Sequence, residues 1–248
     1  MARDRPDGAP APLNGELPTA SSSAEIDAFL EKVRGLVPTV EPGKRGRLIF
    51  ALDATMSRQP TWDQACVLQA DMFREAAAIG GLDVQLVYYR GLGECRASRW
   101  VSEASRLADL METIDCRGGQ TQIAKVLAHA RRETQKASVQ ALVFVGDAME
   151  ESVDRLCATA GELGIVGVPV FLFQEGSDAV VEQAFREIAR LSRGAYSRFS
   201  PGAAHELAEL LRAAAAYAAG GLKALSDLSQ RRNGGAIRLL AQLTSSPR

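Results

Sequence analysis

The chain has 248 residues, is 46% hydrophobic and carries a formal charge of −1 at pH 7. That length suits one large domain with short appendages, and the apolar share is enough for a real core. The near-zero charge gives no electrostatic ground for a nucleic-acid or anionic-membrane partner, and no apolar run approaches the ~18 residues that span a bilayer.

Residues 1–23, rich in Pro, Gly, Ala and Ser, read as a disordered leader without the apolar stretch of a secretion signal. Residues 24–45 read as an N-terminal helix and linker, with Ile26, Phe29, Leu30 and Val33 on one helical face and Pro42-Gly43 in the closing turn. From 46 to 219 strand-like and helix-like segments alternate. Strands are expected at 47–52, 83–89, 139–146, 168–174 and, more weakly, 195–199, with a short antiparallel edge strand near 96–101. Helical patterns fill 61–79, 102–115, 121–136, 150–164, 178–193 and 203–219.

Ala141 to Val145 and Val168 to Phe173 are apolar on both faces, as central parallel strands covered on each side must be. The fold class is therefore α/β: a doubly wound, mostly parallel central sheet, Rossmann-like, with helices on both faces. The tail, 220–248, carries Gly-Gly breaks at 220–221 and 234–235 and reads as one or two short helices. Cys66, Cys95, Cys116 and Cys157 are scattered without C-x-x-C spacing, which fits reduced thiols in a cytoplasmic protein. His129 and His205 fall within helical patterns and read as ordinary helix residues.

Three segments carry chemistry. Arg47 to Leu52 ends in Asp53, followed by hydroxyls at Thr55 and Ser57. Gly118-Gly119-Gln120-Thr121 leads into a helix, and Val143 to Gly146 ends in Asp147. The carboxyl ends of neighbouring parallel strands face one crevice. Three hydroxyls and two carboxylates gathered there would offer an all-oxygen set to a hard divalent cation, Mg²⁺ or Mn²⁺. Each segment alone has an ordinary explanation: a turn, a helix cap at Thr121, or Asp147 capping the helix after it. Glu150 and Glu151 read as acids complementing the dipole of that same helix. Gln120 and Gln122 flank Thr121, where they would form a partner-facing rim.

The three segments together resemble the von Willebrand factor A (VWA) domain and its metal-ion-dependent adhesion site (MIDAS). The matching residues are Asp53-x-Thr55-x-Ser57, Thr121 in the Gly-rich loop and Asp147 after the fourth strand, over about residues 46–219. Thr55 stands where the family usually has serine, and Ala148 where glycine often follows the aspartate. The resemblance implies a non-catalytic binding module. Its bound Mg²⁺ (or Mn²⁺) would accept a Glu or Asp carboxylate from a protein ligand, with an ATPase complex as one such setting. The competing reading is a haloacid-dehalogenase-like phosphatase. Asp53 would then be the nucleophile, with Thr121, Lys125 or Lys136, and Asp147 with Glu150 or Glu151 in support. Against it, Thr55 stands where such enzymes place an acid, and Ser57 and Gly118-Gly119 have no role in that plan.

Overall fold

A computed structural model describes residues 45–245; the expected leader (1–23) and all but the last residue of the expected helix and linker (24–45) lie outside the described residues. Six strands, β1 (Gly46–Asp53), β2 (Leu82–Arg90), β3 (Glu94–Val101), β4 (Ala141–Gly146), β5 (Val170–Glu175) and β6 (Ala195–Phe199), form one sheet in the order β3-β2-β1-β4-β5-β6. All neighbours are parallel except β2 and β3, so the antiparallel edge strand is present. Between them run α1 (Gln59–Ala77), α2 (Ala104–Glu112), α3 (Ile123–Lys136), α4 (Val153–Ile165) and α5 (Ala179–Leu191). Helices α6 (Ala204–Gln230) and α7 (Gly234–Ser245) follow.

The two-sided apolar strands do what their sequence requires. Leu48, Phe50 and Leu52 of β1 join one core with Val143 and Val145 of β4 and Phe171 and Phe173 of β5. The alternate residues Ile49, Ala51, Leu142, Phe144 and Leu172 join the second core on the opposite face. Residues from α1, α2, α6 and α7 contribute to the first core, and α3, α4 and α5 to the second. This period-two division is the signature of a sheet covered on both sides.

The C-terminal part follows the sequence expectation of a break at Gly220-Gly221 and short helices after it. Within the α6 span Gly221 takes a non-helical φ 66° and ψ −158°, so the span comprises two helices that meet at a kink just after the expected end at 219. Only glycine adopts that conformation without strain, so the Gly-Gly pair ends one helix and lets the next begin at an angle to it. Leu225, Leu228, Ala236 and Leu239 are buried in the first core, which places both tail helices on the domain. Residues 150–152 fall outside the helix expected there, because Glu150 and Glu151 are engaged elsewhere, as described below.

The alanine-rich stretch Ala213–Ala219 lets α6 approach the sheet closely. A Cβ on Gly46, at the start of β1, would lie 2.1 Å from the Ala218 carbonyl oxygen. Gly46→Ala is therefore expected to destabilise the protein by about 2 kcal/mol, because backbone would have to move. Gly161, inside α4, has open space at its Cβ position. Gly161→Ala is expected to stabilise by up to ~1 kcal/mol through helix propensity. Urea unfolding of the two variants checks both signs.

Candidate metal centre

Asp53 closes β1 and is only 3% exposed. Its Oδ1 accepts the Thr55 backbone N–H at 2.7 Å and its Oδ2 accepts the Tyr89 hydroxyl at 3.0 Å. Burial pushes the Asp53 carboxyl above its ordinary pKa, against the smaller lowering effect of those hydrogen bonds. Tyr89 is fully enclosed, and burial first, then the Asp53 charge, raise its phenol well above the usual value. It therefore stays a donor to Asp53.

After Asp53 the chain turns through a short 3-10 segment, Met56–Arg58, with Thr55 as its extended N-cap. The turn brings the Thr55 and Ser57 hydroxyl oxygens within 3.4 Å of each other. Ser57 Oγ in turn donates to Asp147 Oδ2 at 3.5 Å. Asp53, Thr55, Ser57 and Asp147 thus form one continuous polar chain across the carboxyl ends of β1 and β4.

Thr121 is placed differently. Its N–H donates to Glu150 Oε2 at 3.2 Å and its hydroxyl oxygen accepts the Glu150 N–H at 3.0 Å. This reciprocal pair fastens the Thr121 loop to the segment just after Asp147. It makes no hydrogen bond to the other four residues. Nor is Thr121 the cap of α3: Glu151 accepts the Ile123 and Ala124 N–H groups. Glu150 and Glu151 therefore serve the start of α3, not the dipole of α4, which begins after Ser152. Asp147, five residues earlier, caps nothing.

The Gly-rich loop has a specific steric reason. A Cβ on Gly119 would lie 2.2 Å from the Gly91 carbonyl oxygen, so this loop lies directly on the β2–β3 turn. Gln120 N–H donates to that same carbonyl at 3.2 Å, and Arg117 N–H donates to the Ala54 carbonyl at 2.9 Å. Gln122 is buried and its amide reaches the Arg90, Gly91 and Glu94 carbonyls. Gln122 is a structural clamp, not part of a partner-facing rim.

The sequence reading missed Arg58, Glu175 and Tyr89. Arg58 is 3% exposed; its Nη1 donates to Glu175 Oε2 and stands 3.7 Å from Asp147 Oδ2. Thr61 Oγ1 donates to the same Glu175 oxygen. Nothing in a lone arginine after D-x-T-x-S announces burial, and Glu175 is 117 residues away from it. The signal available was β5 ending in an acid, as β1 does.

Whether these residues suit a divalent ion can be tested on two observations. Oxygens around an octahedral magnesium at ~2.1 Å lie about 3 Å apart. The Thr55–Ser57 and Ser57–Asp147 separations, 3.4 and 3.5 Å, are close to that spacing. Asp147 Oδ1 is buried and has no hydrogen-bond partner, an orphan acceptor of the kind a cation or its water satisfies. The donor set fits a hard cation. It is a hydroxyl-rich set: among the described residues, no group of three or more His, Cys, Asp or Glu side chains is arranged to hold a metal.

No protein-family model matches the chain, and no curated protein matches its sequence. Solved structures do share its fold. A von Willebrand factor type A protein from Catenulispora acidiphila is 16% identical with a TM-score of 0.56, covering 71% of this chain and 43% of its own. The SpRpn10 VWA domain is 10% identical with a TM-score of 0.52, covering 64% of this chain and 90% of its own. Proximal thread matrix protein 1 from the mussel byssus, with a zinc-occupied MIDAS motif, is 16% identical with a TM-score of 0.57. That match covers 77% of this chain and 52% of its own. The chain has the VWA fold. No helix among its described residues is long and apolar enough to cross a membrane.

Removing Arg58 alone would leave the buried Glu175 carboxylate with the Thr61 hydroxyl. Arg58→Gln is expected to cost about 3–5 kcal/mol of stability, and Arg58→Gln with Glu175→Gln to recover most of that loss. A double-mutant cycle by urea unfolding measures the coupling directly.

Proposed function

We propose that the protein is a non-catalytic binding module whose site at Asp53, Thr55, Ser57, Thr121 and Asp147 holds Mg²⁺, or Mn²⁺, and receives an acidic side chain from a protein partner. The observation that carries this reading is the convergence of Asp53, Thr55, Ser57 and Asp147 into one polar chain, with the Asp147 Oδ1 orphan inside it. Thr55 and Ser57 would offer neutral oxygens, Asp147 a carboxylate, and Asp53 would act from beneath, holding the turn and coordinated water. Thr121, fastened to Glu150, would close the rim. A cation held mainly by hydroxyls remains under-neutralised, and an incoming carboxylate completes its charge balance.

The zinc-occupied MIDAS of the mussel byssus protein supports divalent binding on this fold. Asp53 as a phosphatase nucleophile finds less support, since both its oxygens already accept hydrogen bonds in a buried setting. An intracellular setting is part of the proposal, supported by four free thiols. An ATPase assembly is one such setting.

The experiment is a thermal melt with and without millimolar MgCl₂ or MnCl₂. At about a hundredfold excess over Kd the wild type is expected to gain roughly 5–10 °C. Ser57→Ala and Asp147→Ala should lose that gain. Asp53→Asn should melt higher than wild type in EDTA, because a buried charge is removed, the amide oxygen still accepts the Thr55 N–H and the Tyr89 hydroxyl can turn to accept from the amide nitrogen, and should gain less from the ion. A wild type that melts identically in EDTA and in saturating ion would sink the cation reading. Turnover of a generic phosphomonoester lost in Asp53→Asn would move the assignment to a phosphatase.

A further inference from the structure

A trench of about 290 Å³ runs along α3 between β3 and α4. Its lining includes Arg96, Lys125, His129, Arg132 and Arg155, and no Asp or Glu. Ala124 and Ala128 contribute only methyl groups there and leave the space open. Arg96 is paired with Glu94 at 2.8 Å, and Lys125 donates to the Gly93 carbonyl and to Gln122 Oε1. Arg132 and Arg155 are exposed and have no acid within ion-pair distance among the described residues. Their neighbours show where the rest of the charge goes: Arg131 pairs with Glu162 and Lys136 with Glu133. In a chain of net charge −1 this concentration of positive charge is local, offset in part by Glu151, whose carboxylate is held by backbone N–H groups and feels the charges of Arg155 and Lys125.

We propose that this trench is a docking surface for an acidic, extended segment of a protein partner, continuous with the rim at Thr121. It rests on the protein-partner reading above, but not on the cation. Ala124 and Lys125 lie in the first turn of α3, directly after the Thr121 loop, and Arg132 two turns further on. Eight helical residues rise about 12 Å, the length of roughly four extended residues. A partner carboxylate at the rim would therefore be followed by three or four residues over the trench, where further acids meet Lys125, Arg132 and Arg155. A protein segment is favoured over single-stranded nucleic acid because the lining holds no Phe, Tyr or Trp on which bases would stack.

The test uses fluorescein-labelled hexaglutamate as probe, with hexaglutamine as control, read by anisotropy at low and physiological salt in Mg²⁺ and in EDTA. Wild type is expected to bind the acidic probe and not the neutral one, more weakly as salt rises. Arg132→Glu with Arg155→Glu should weaken binding by roughly tenfold or more. Arg106→Glu with Lys223→Glu, the same charge change on α2 and α6, should leave it unaltered. Equal binding by wild type and the Arg132/Arg155 variant would overturn the proposal. So would equal loss in the two double variants, or an oligothymidylate bound more tightly than the peptide at the same arginines. The two readings separate cleanly. Mg²⁺-dependent binding that survives the arginine reversals keeps the cation site and removes the trench; arginine-dependent binding indifferent to Mg²⁺ and to Asp147→Ala does the reverse.

Discussion

The parallel pairing of β1 with β4 is the constraint on which the rest of the molecule depends. The chain builds outward from β1 to β2 and β3 on one side, then crosses over to lay β4 on the other. At such a reversal the loops leaving the two central strands diverge to opposite faces and open a crevice between them. The register puts Leu52 opposite Val145, so Asp53 and Asp147 leave the sheet almost side by side. Gly146, between them, leaves room for the Phe144 ring, on which a Cβ would press at 2.8 Å. Two acids separated by 94 positions thus become neighbours through a strand pairing, before either has any chemistry.

Those two acids are not equivalent. Asp53 is buried and compensated only by neutral donors, a backbone N–H and the Tyr89 hydroxyl. Such donors offset part of the desolvation cost, and the remainder is visible as a raised pKa. Asp147 is half-open and already faces a full positive charge, since Arg58 stands 3.7 Å from one of its oxygens. Arg58 is itself held by Glu175 at the end of β5, so three neighbouring strand ends share an ionic network that reaches the candidate site. The permanent cation lies on the Asp147–Glu175 side, and the uncompensated burial lies on the Asp53 side. Any divalent ion entering between them would relieve the second while being opposed by the first.

The sheet was legible because buried strands have a strong physical signature. Runs such as Ala141–Val145 admit only a two-sided environment, and the five parallel strands and the antiparallel edge all lie within two residues of their expected bounds. Helix ends were less legible, since they depend on partners distant in sequence. Residues 150–152 have helical character, yet Glu150 and Glu151 bond to the start of α3 instead. Gly220-Gly221 is the exception: it reads as a break, Gly221 is non-helical there, and the buried Leu225 and Leu228 hold the next helix on the domain. At the site, spacing located Asp53, Thr55, Ser57 and Asp147 because residues 53 to 57 are local and Asp147 is fixed by strand order. The position of Thr121 could be read only as far as its loop. The pairing that fixes it, with Glu150, is a contact between two loops.

Bulk charge was the least informative quantity of all. A balance of 29 basic to 30 acidic residues suggests an even surface. The helix period breaks that inference: adjacent residues point about 100° apart, so Arg131 and Arg132 reach different neighbours. Arg131 meets Glu162 of α4 and is neutralised, while Arg132 turns into the trench beside Lys125 and His129. Arg155 arrives on the same trench from α4. The nearby acids are largely engaged by other groups, Glu133 by Arg47, Lys136 and Trp100, and Glu151 by backbone N–H groups, so that it offsets Lys125 and Arg155 only in part. Local electrostatics is therefore set by which acids the fold has already committed to its own backbone and core, and a neutral chain can present a strongly one-signed face.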